Sequence, residues 1–108
     1  MKETKDWSSI PFGYTPLKSR YEAVYKDGHW VENGLVGEAK ITLSESAVVF
    51  QYAQTCFEGL KAYRTEDGHI VIFRPDLNAK RFSDSCRRLF IPEISSEMFI
   101  RAIDMTVR

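Results

Sequence analysis

Arg81 is a side chain in this sequence whose type could hold a charged ligand. It follows Phe73-Arg74-Pro75 and Asn78 at close spacing, in the first turns of a helix that Pro75 is placed to open. A guanidinium there can meet a phosphate with two parallel hydrogen bonds, which a lysine ammonium cannot do. On spacing alone the ordinary reading is a solvated surface arginine, because charged side chains are mostly exposed. A second set of candidates lies in residues 57–63, read as a strand whose alternation puts Phe57, Gly59, Lys61 and Tyr63 on one face. Glycine weakens a strand, so Gly59 between large side chains marks either a bulge or a close approach to its backbone. Glu58 points the other way and suits a structural ion pair. Phe57 and Tyr52 are read from the residues alone as core filling. His29 and His69 flank glycine turns and read as solvated turn residues, and Arg87-Arg88 as the exposed side of a helix. Cys56 and Cys86 have neither metal nor redox-motif spacing and read as two reduced thiols, a disulfide being the alternative.

The elements that must position these residues can be sketched from periodicity. Residues 1–18, with Pro11, Gly13 and Pro16, read as an extended arm. Alternation from Arg20 to Lys26, the Asp27-Gly28 turn signal and the short strand His29-Trp30-Val31 form a hairpin, closed by a second turn at Asn33-Gly34. Ala39, Ile41 and Leu43 alternate with polar residues and read as a half-buried strand. Ala47 to Phe50 read as buried on both faces. Phe57–Arg64, a turn at Glu66-Asp67-Gly68, and Ile70–Arg74 form a second hairpin. A helix then runs from Pro75 to a stop at Pro92, with Phe82, Cys86 and Leu89 as its buried stripe. A second helix starts near Ser95 or Ser96 and turns Phe99, Ala102, Ile103, Thr106 and Val107 inward. Strands before helices imply an α+β fold: an antiparallel sheet of hairpin-connected strands followed by two helices.

Composition narrows the class. The chain has 108 residues, room for one domain, and 44% hydrophobic residues, enough for a core. Its 15 basic and 15 acidic residues cancel, so no basic excess points to nucleic acid or an anionic membrane. The opening residues Met1 to Ser9 carry no apolar run of the kind that drives export, and no apolar stretch reaches membrane-spanning length. These readings imply a cytoplasmic setting.

The residues 57–63, FEGLKAY, together with 73–81, FRPDLNAKR, resemble the N-terminal half of the branched-chain amino acid aminotransferases, pyridoxal-phosphate enzymes of fold type IV. Residues 6–35 also resemble the longer form of these enzymes. Where many relatives have Leu-His-Tyr-Gly, this chain has Phe50-Gln51-Tyr52-Ala53. The resemblance implies that Arg81 holds the phosphate of pyridoxal 5'-phosphate, with Arg74 and Asn78 structural. It implies that Tyr52 and Phe57 wall the pocket for a branched aliphatic side chain, which apolar surface suits. Lys61 falls at a non-catalytic position. The expectation is therefore a single incomplete N-terminal domain over 1–108, with the Schiff-base lysine in a further domain absent from this chain and no catalytic residue here. The parent would transfer the amino group of leucine, isoleucine or valine to 2-oxoglutarate, giving glutamate, as a homodimer. Two alternatives stand beside it. One is another enzyme of the same fold, a D-amino acid aminotransferase or an aminodeoxychorismate lyase. The other, for the isolated chain, is a non-catalytic folding or dimerisation module.

Overall fold

Asp27 and Gly28 both take positive φ (52° and 83°), the paired left-handed geometry of a two-residue turn whose twist matches its flanking strands. They join β1 (Arg20–Lys26) to β2 (His29–Val36) in an antiparallel ribbon. The computed structural model describes residues 15–108. The arm expected over 1–18 lies almost wholly outside them, and residues 15–19 have no regular structure. The return strand is longer than expected because Asn33-Gly34 is not a turn. Glu22 pairs with Gly34 and Ala23 with Glu32, so Asn33 is an extra residue in a bulge. Gly34 (φ 77°) carries the left-handed backbone of that bulge, and Asn33 donates to Glu22 at 2.8 Å.

The next expectations fail. Residues 37–44 form no strand, and Ile41 and Leu43 are exposed. Alternation alone cannot make a strand without a partner. Here the Arg20 guanidinium takes the Glu38 and Lys40 carbonyls at 2.9 and 3.2 Å. Ala47 to Phe50 is not buried on both faces either. Val48–Gln51 form a single helical turn, α1, with Val48, Val49 and Phe50 exposed.

The second hairpin is shorter than its pattern. Only β3 (Ala62–Arg64) and β4 (Ile70–Ile72) pair, around a turn closed by Thr65 and His69. Residues 57–61 run as irregular chain. The returning strand stops before Phe73 because Arg74 adopts left-handed backbone (φ 45°) as N-cap of α2 (Pro75–Arg88). Arg74 is held there by a two-pronged bond to Asp76, at 3.0 and 2.8 Å.

Pro75 opens α2 as expected, but Pro92 does not end it. The amide of Ile91 donates to the Cys86 carbonyl and that of Phe90 to Arg87, the paired bonds of a Schellman stop, with Phe90 left-handed (φ 57°). Cys86 of the expected stripe is buried and Phe82 half-buried, while Leu89 is exposed at the C-cap. Ser95 caps α3 (Ser96–Val107) by accepting the Met98 amide at 3.1 Å. On α3, Phe99, Ala102, Ile103 and Val107 are half-buried, Thr106 is exposed, and Met98 is the most buried residue.

The layers meet through few contacts. Phe82 of α2 faces Phe99 of α3 with ring centroids 5.8 Å apart. Arg101 of α3 forks onto Glu32 of β2 at 2.9 and 2.6 Å, and the Trp30 indole donates to the Glu93 carbonyl. Among the described residues the fully buried apolar set is Ala79, Cys86 and Met98. The architecture is α+β as expected: two antiparallel hairpins, then two helices.

Candidate functional site

The segment after α1 lies along α2 and runs against it. As the chain advances from Gln54 to Gly59, its partners on the helix side step back from Leu89 to Asn78. Gln54 Nε2 donates to the Leu89 carbonyl at 2.7 Å. Cys56 Sγ sits 3.7 Å from Cys86 Sγ. Asn78 Nδ2 donates to Glu58 Oε1 at 3.0 Å and to the Gly59 carbonyl at 3.2 Å. Side chains thus do the work that a ladder of backbone bonds would do in a sheet. At the start of this segment Ala53 takes left-handed backbone (φ 52°), a conformation that favours glycine.

Arg81 projects from the second turn of α2 onto Glu58. Its Nε donates to Glu58 Oε2 at 2.6 Å, and its Nη2 bonds Oε1. The Glu58 side chain is only 4% exposed, while that of Arg81 is 69% exposed. The carboxylate accepts from Arg81, Asn78 and its neighbouring Gly59 amide. The Arg81 bond, above all, drives its pKa down to about 2, against the opposing pull of desolvation. The ion pair anticipated for Glu58 is therefore present, and its partner is the arginine singled out for phosphate. A guanidinium carries five N–H donors. Glu58 takes two, and among the described residues no other acceptor meets the guanidinium, so three remain on its solvent side for an anion.

Tyr52 and Phe57 are not enclosed. They are 82% and 90% exposed, so the described residues offer at most one rim of an apolar pocket. Gly59 has open space where a side chain would sit, which leaves its backbone approachable. Lys61 is exposed in irregular chain. A groove of about 480 Å³ opens elsewhere, between β4 and the last turns of α3, lined by Ile70, Ile72, Ile100, Ile103 and Val107 among others. Sequence reasoning missed it, since it needs two elements some 30 residues apart to meet. It includes none of Arg81, Tyr52 and Phe57. No cluster of metal-ligating side chains occurs among the described residues, and none of their helices is long and apolar enough to cross a membrane.

No family model matches the chain. Curated proteins do. The chain is 46% identical over 100 residues to the branched-chain-amino-acid aminotransferase of Helicobacter pylori, covering 93% of this chain and 29% of that protein. It is 40% identical over 107 residues to branched-chain-amino-acid transaminase 1 of Bacillus subtilis, covering 98% and 30%. It is 48% identical over 77 residues to the branched-chain-amino-acid aminotransferase of Mycolicibacterium smegmatis, covering 71% and 21%. The chain spans less than a third of the length of these relatives.

Proposed function

We propose that this chain, homologous to the N-terminal part of the branched-chain amino acid aminotransferases, serves in such an enzyme to grip the phosphate of pyridoxal 5'-phosphate through Arg81. In this reading Tyr52 and Phe57 face the aliphatic side chain of leucine, isoleucine or valine. A cytoplasmic homodimer that uses 2-oxoglutarate as amino acceptor belongs to the same proposal. The observation that carries it is the 46% identity across 93% of the chain. The geometry of Arg81 supports it. Glu58, itself steadied by the Asn78 amide, holds the guanidinium by its inner edge and leaves its outer edge to solvent, where a doubly charged phosphate can receive parallel N–H bonds. When bound, the cofactor supplies the electron sink that amino-group transfer requires. This chain orients that group by its phosphate and keeps polar side chains away from the substrate's apolar end. Tyr52 and Phe57 are held out from the fold rather than packed into it, as a wall awaiting its opposite side would be.

The test is the full-length polypeptide that carries this chain, purified with pyridoxal 5'-phosphate. With leucine, isoleucine or valine and 2-oxoglutarate it should form glutamate. Failure with all three, or turnover of D-alanine instead, would overturn the reading.

A further inference from the structure

Two sulfur atoms meet midway along the contact between residues 54–59 and α2. Cys56 Sγ and Cys86 Sγ are 3.7 Å apart, and the chain has no other cysteine. Their settings differ. Cys86 is 1% exposed on the inner face of α2, whereas Cys56 is half-buried in irregular chain that oxidants can reach. A disulfide holds its sulfurs at about 2.04 Å, so closure asks for an approach of roughly 1.7 Å. The 54–59 segment can supply that shift, because side chains tie it to the helix and no strand ladder fixes its backbone. The same ties, Gln54 on one side and Glu58 with Asn78 on the other, hold the thiols opposite each other. This favours pairing within the chain over pairing between molecules.

We propose that Cys56 and Cys86 are a redox-active pair, which a hydroperoxide closes into an intrachain disulfide that staples the 54–59 segment onto α2. The Cys56 thiol gives its proton to solvent and the thiolate attacks hydrogen peroxide; the O–O bond breaks, the leaving hydroxide takes a proton back and departs as water, and Cys56 becomes a sulfenic acid. The Cys86 sulfur then attacks the Cys56 sulfur. The S–O bond breaks, and the departing hydroxide leaves with the Cys86 proton as a second water. Two thiols lose two electrons and the peroxide gains them. The order of attack follows from burial, which, with the neighbouring Cys56, pushes the Cys86 thiol up to about 11 and makes it the poorer first nucleophile. Closure fixes Glu58 against Asn78 and Arg81, so under the function proposed above it would lock the phosphate-gripping face.

The experiment treats purified, reduced protein at micromolar concentration with hydrogen peroxide and maps the peptides without reduction. The tryptic peptides 41–61 and 82–87 should appear joined, lighter than their sum by two hydrogen atoms, and separate again with dithiothreitol. In Cys86→Ser the joined species should vanish, and Cys56 should carry added oxygen instead. Oxygen added to wild-type Cys56 without the joined pair, linkage only between molecules, or two unreactive thiols would each overturn the proposal. Serine at position 86 could disturb folding, so wild-type protein in urea is the second arm. There the intrachain pairing rate should fall by about tenfold or more. Equal rates in urea and in buffer would show that the fold does not hold the pair.

Discussion

At the scale of the residue, the Arg81–Glu58 pair decides most. It joins residues 23 apart in sequence, so alternation could point Glu58 away from Phe57 but could not say which cation it meets. In the full-length protein Arg81→Ala should weaken cofactor binding by about 2–3 kcal/mol, roughly 30- to 150-fold in dissociation constant, since a charge-assisted two-pronged contact is lost. An absorbance titration with pyridoxal 5'-phosphate checks this, and an unchanged constant would remove Arg81 from the phosphate. Glu58→Gln tests the pair itself. The carboxyl ordinarily titrates near 4.5 and here falls to about 2, so its stabilising share is complete above 4.5 and is lost as pH falls towards 2. The wild type should therefore resist urea better than Glu58→Gln near neutral pH, and the two midpoints should converge across that window. A difference that stayed constant down to the lowest pH would mean that Arg81 is not what lowers the Glu58 pKa.

At the scale of the element, local backbone chemistry overruled periodicity in several places. The end of α2 is the clearest. Proline at 92 looked like the stop, yet the helix ends at Arg88 on carbonyl-capping bonds that require a left-handed residue at Phe90. Left-handed backbone costs a residue bearing Cβ about 1–2 kcal/mol, and glycine nothing comparable. Phe90 is also 91% exposed, so its ring contributes little packing here. Phe90→Gly should thus stabilise the chain by about 1 kcal/mol, read as a higher urea midpoint with an unchanged slope. A lower midpoint would mean that the Phe90 ring packs in a way this geometry does not include. The same logic explains Asn33-Gly34. The dipeptide asked for left-handed backbone, and β2 used it for a bulge, since a strand partner was already in place on the far side.

At the scale of the whole molecule, much apolar surface is left uncovered. Phe50, Tyr52, Phe57, Phe73 and Phe90 are all well exposed, and two separate two-stranded ribbons are marginal structures on their own. The chain alone should show no transaminase activity. The reaction needs a lysine that bonds the cofactor and moves protons at the substrate's α-carbon. Lys61 lies exposed in irregular chain, and Lys80 pairs with Asp84 on the outer face of α2. Mixed with pyridoxal 5'-phosphate, leucine and 2-oxoglutarate, the chain should give no glutamate beyond that from free cofactor. Turnover that disappeared in Lys61→Ala would reverse this. What the sequence determined by itself is whatever rests on neighbours in the chain: the Asp27-Gly28 turn, the proline that opens α2, the Ser95 cap of α3, the α+β order, and the family likeness. The tertiary structure alone decided whether an alternating stretch found a partner. Residues 37–44 and 57–61 have strand-like patterns but form no ladder with the backbone of the described residues, and Ile41, Leu43 and Phe57 stay in solvent. It also decided that Cys56 meets Cys86 and that Arg81 meets Glu58, because an irregular segment lies along a helix, a placement that no local periodicity encodes.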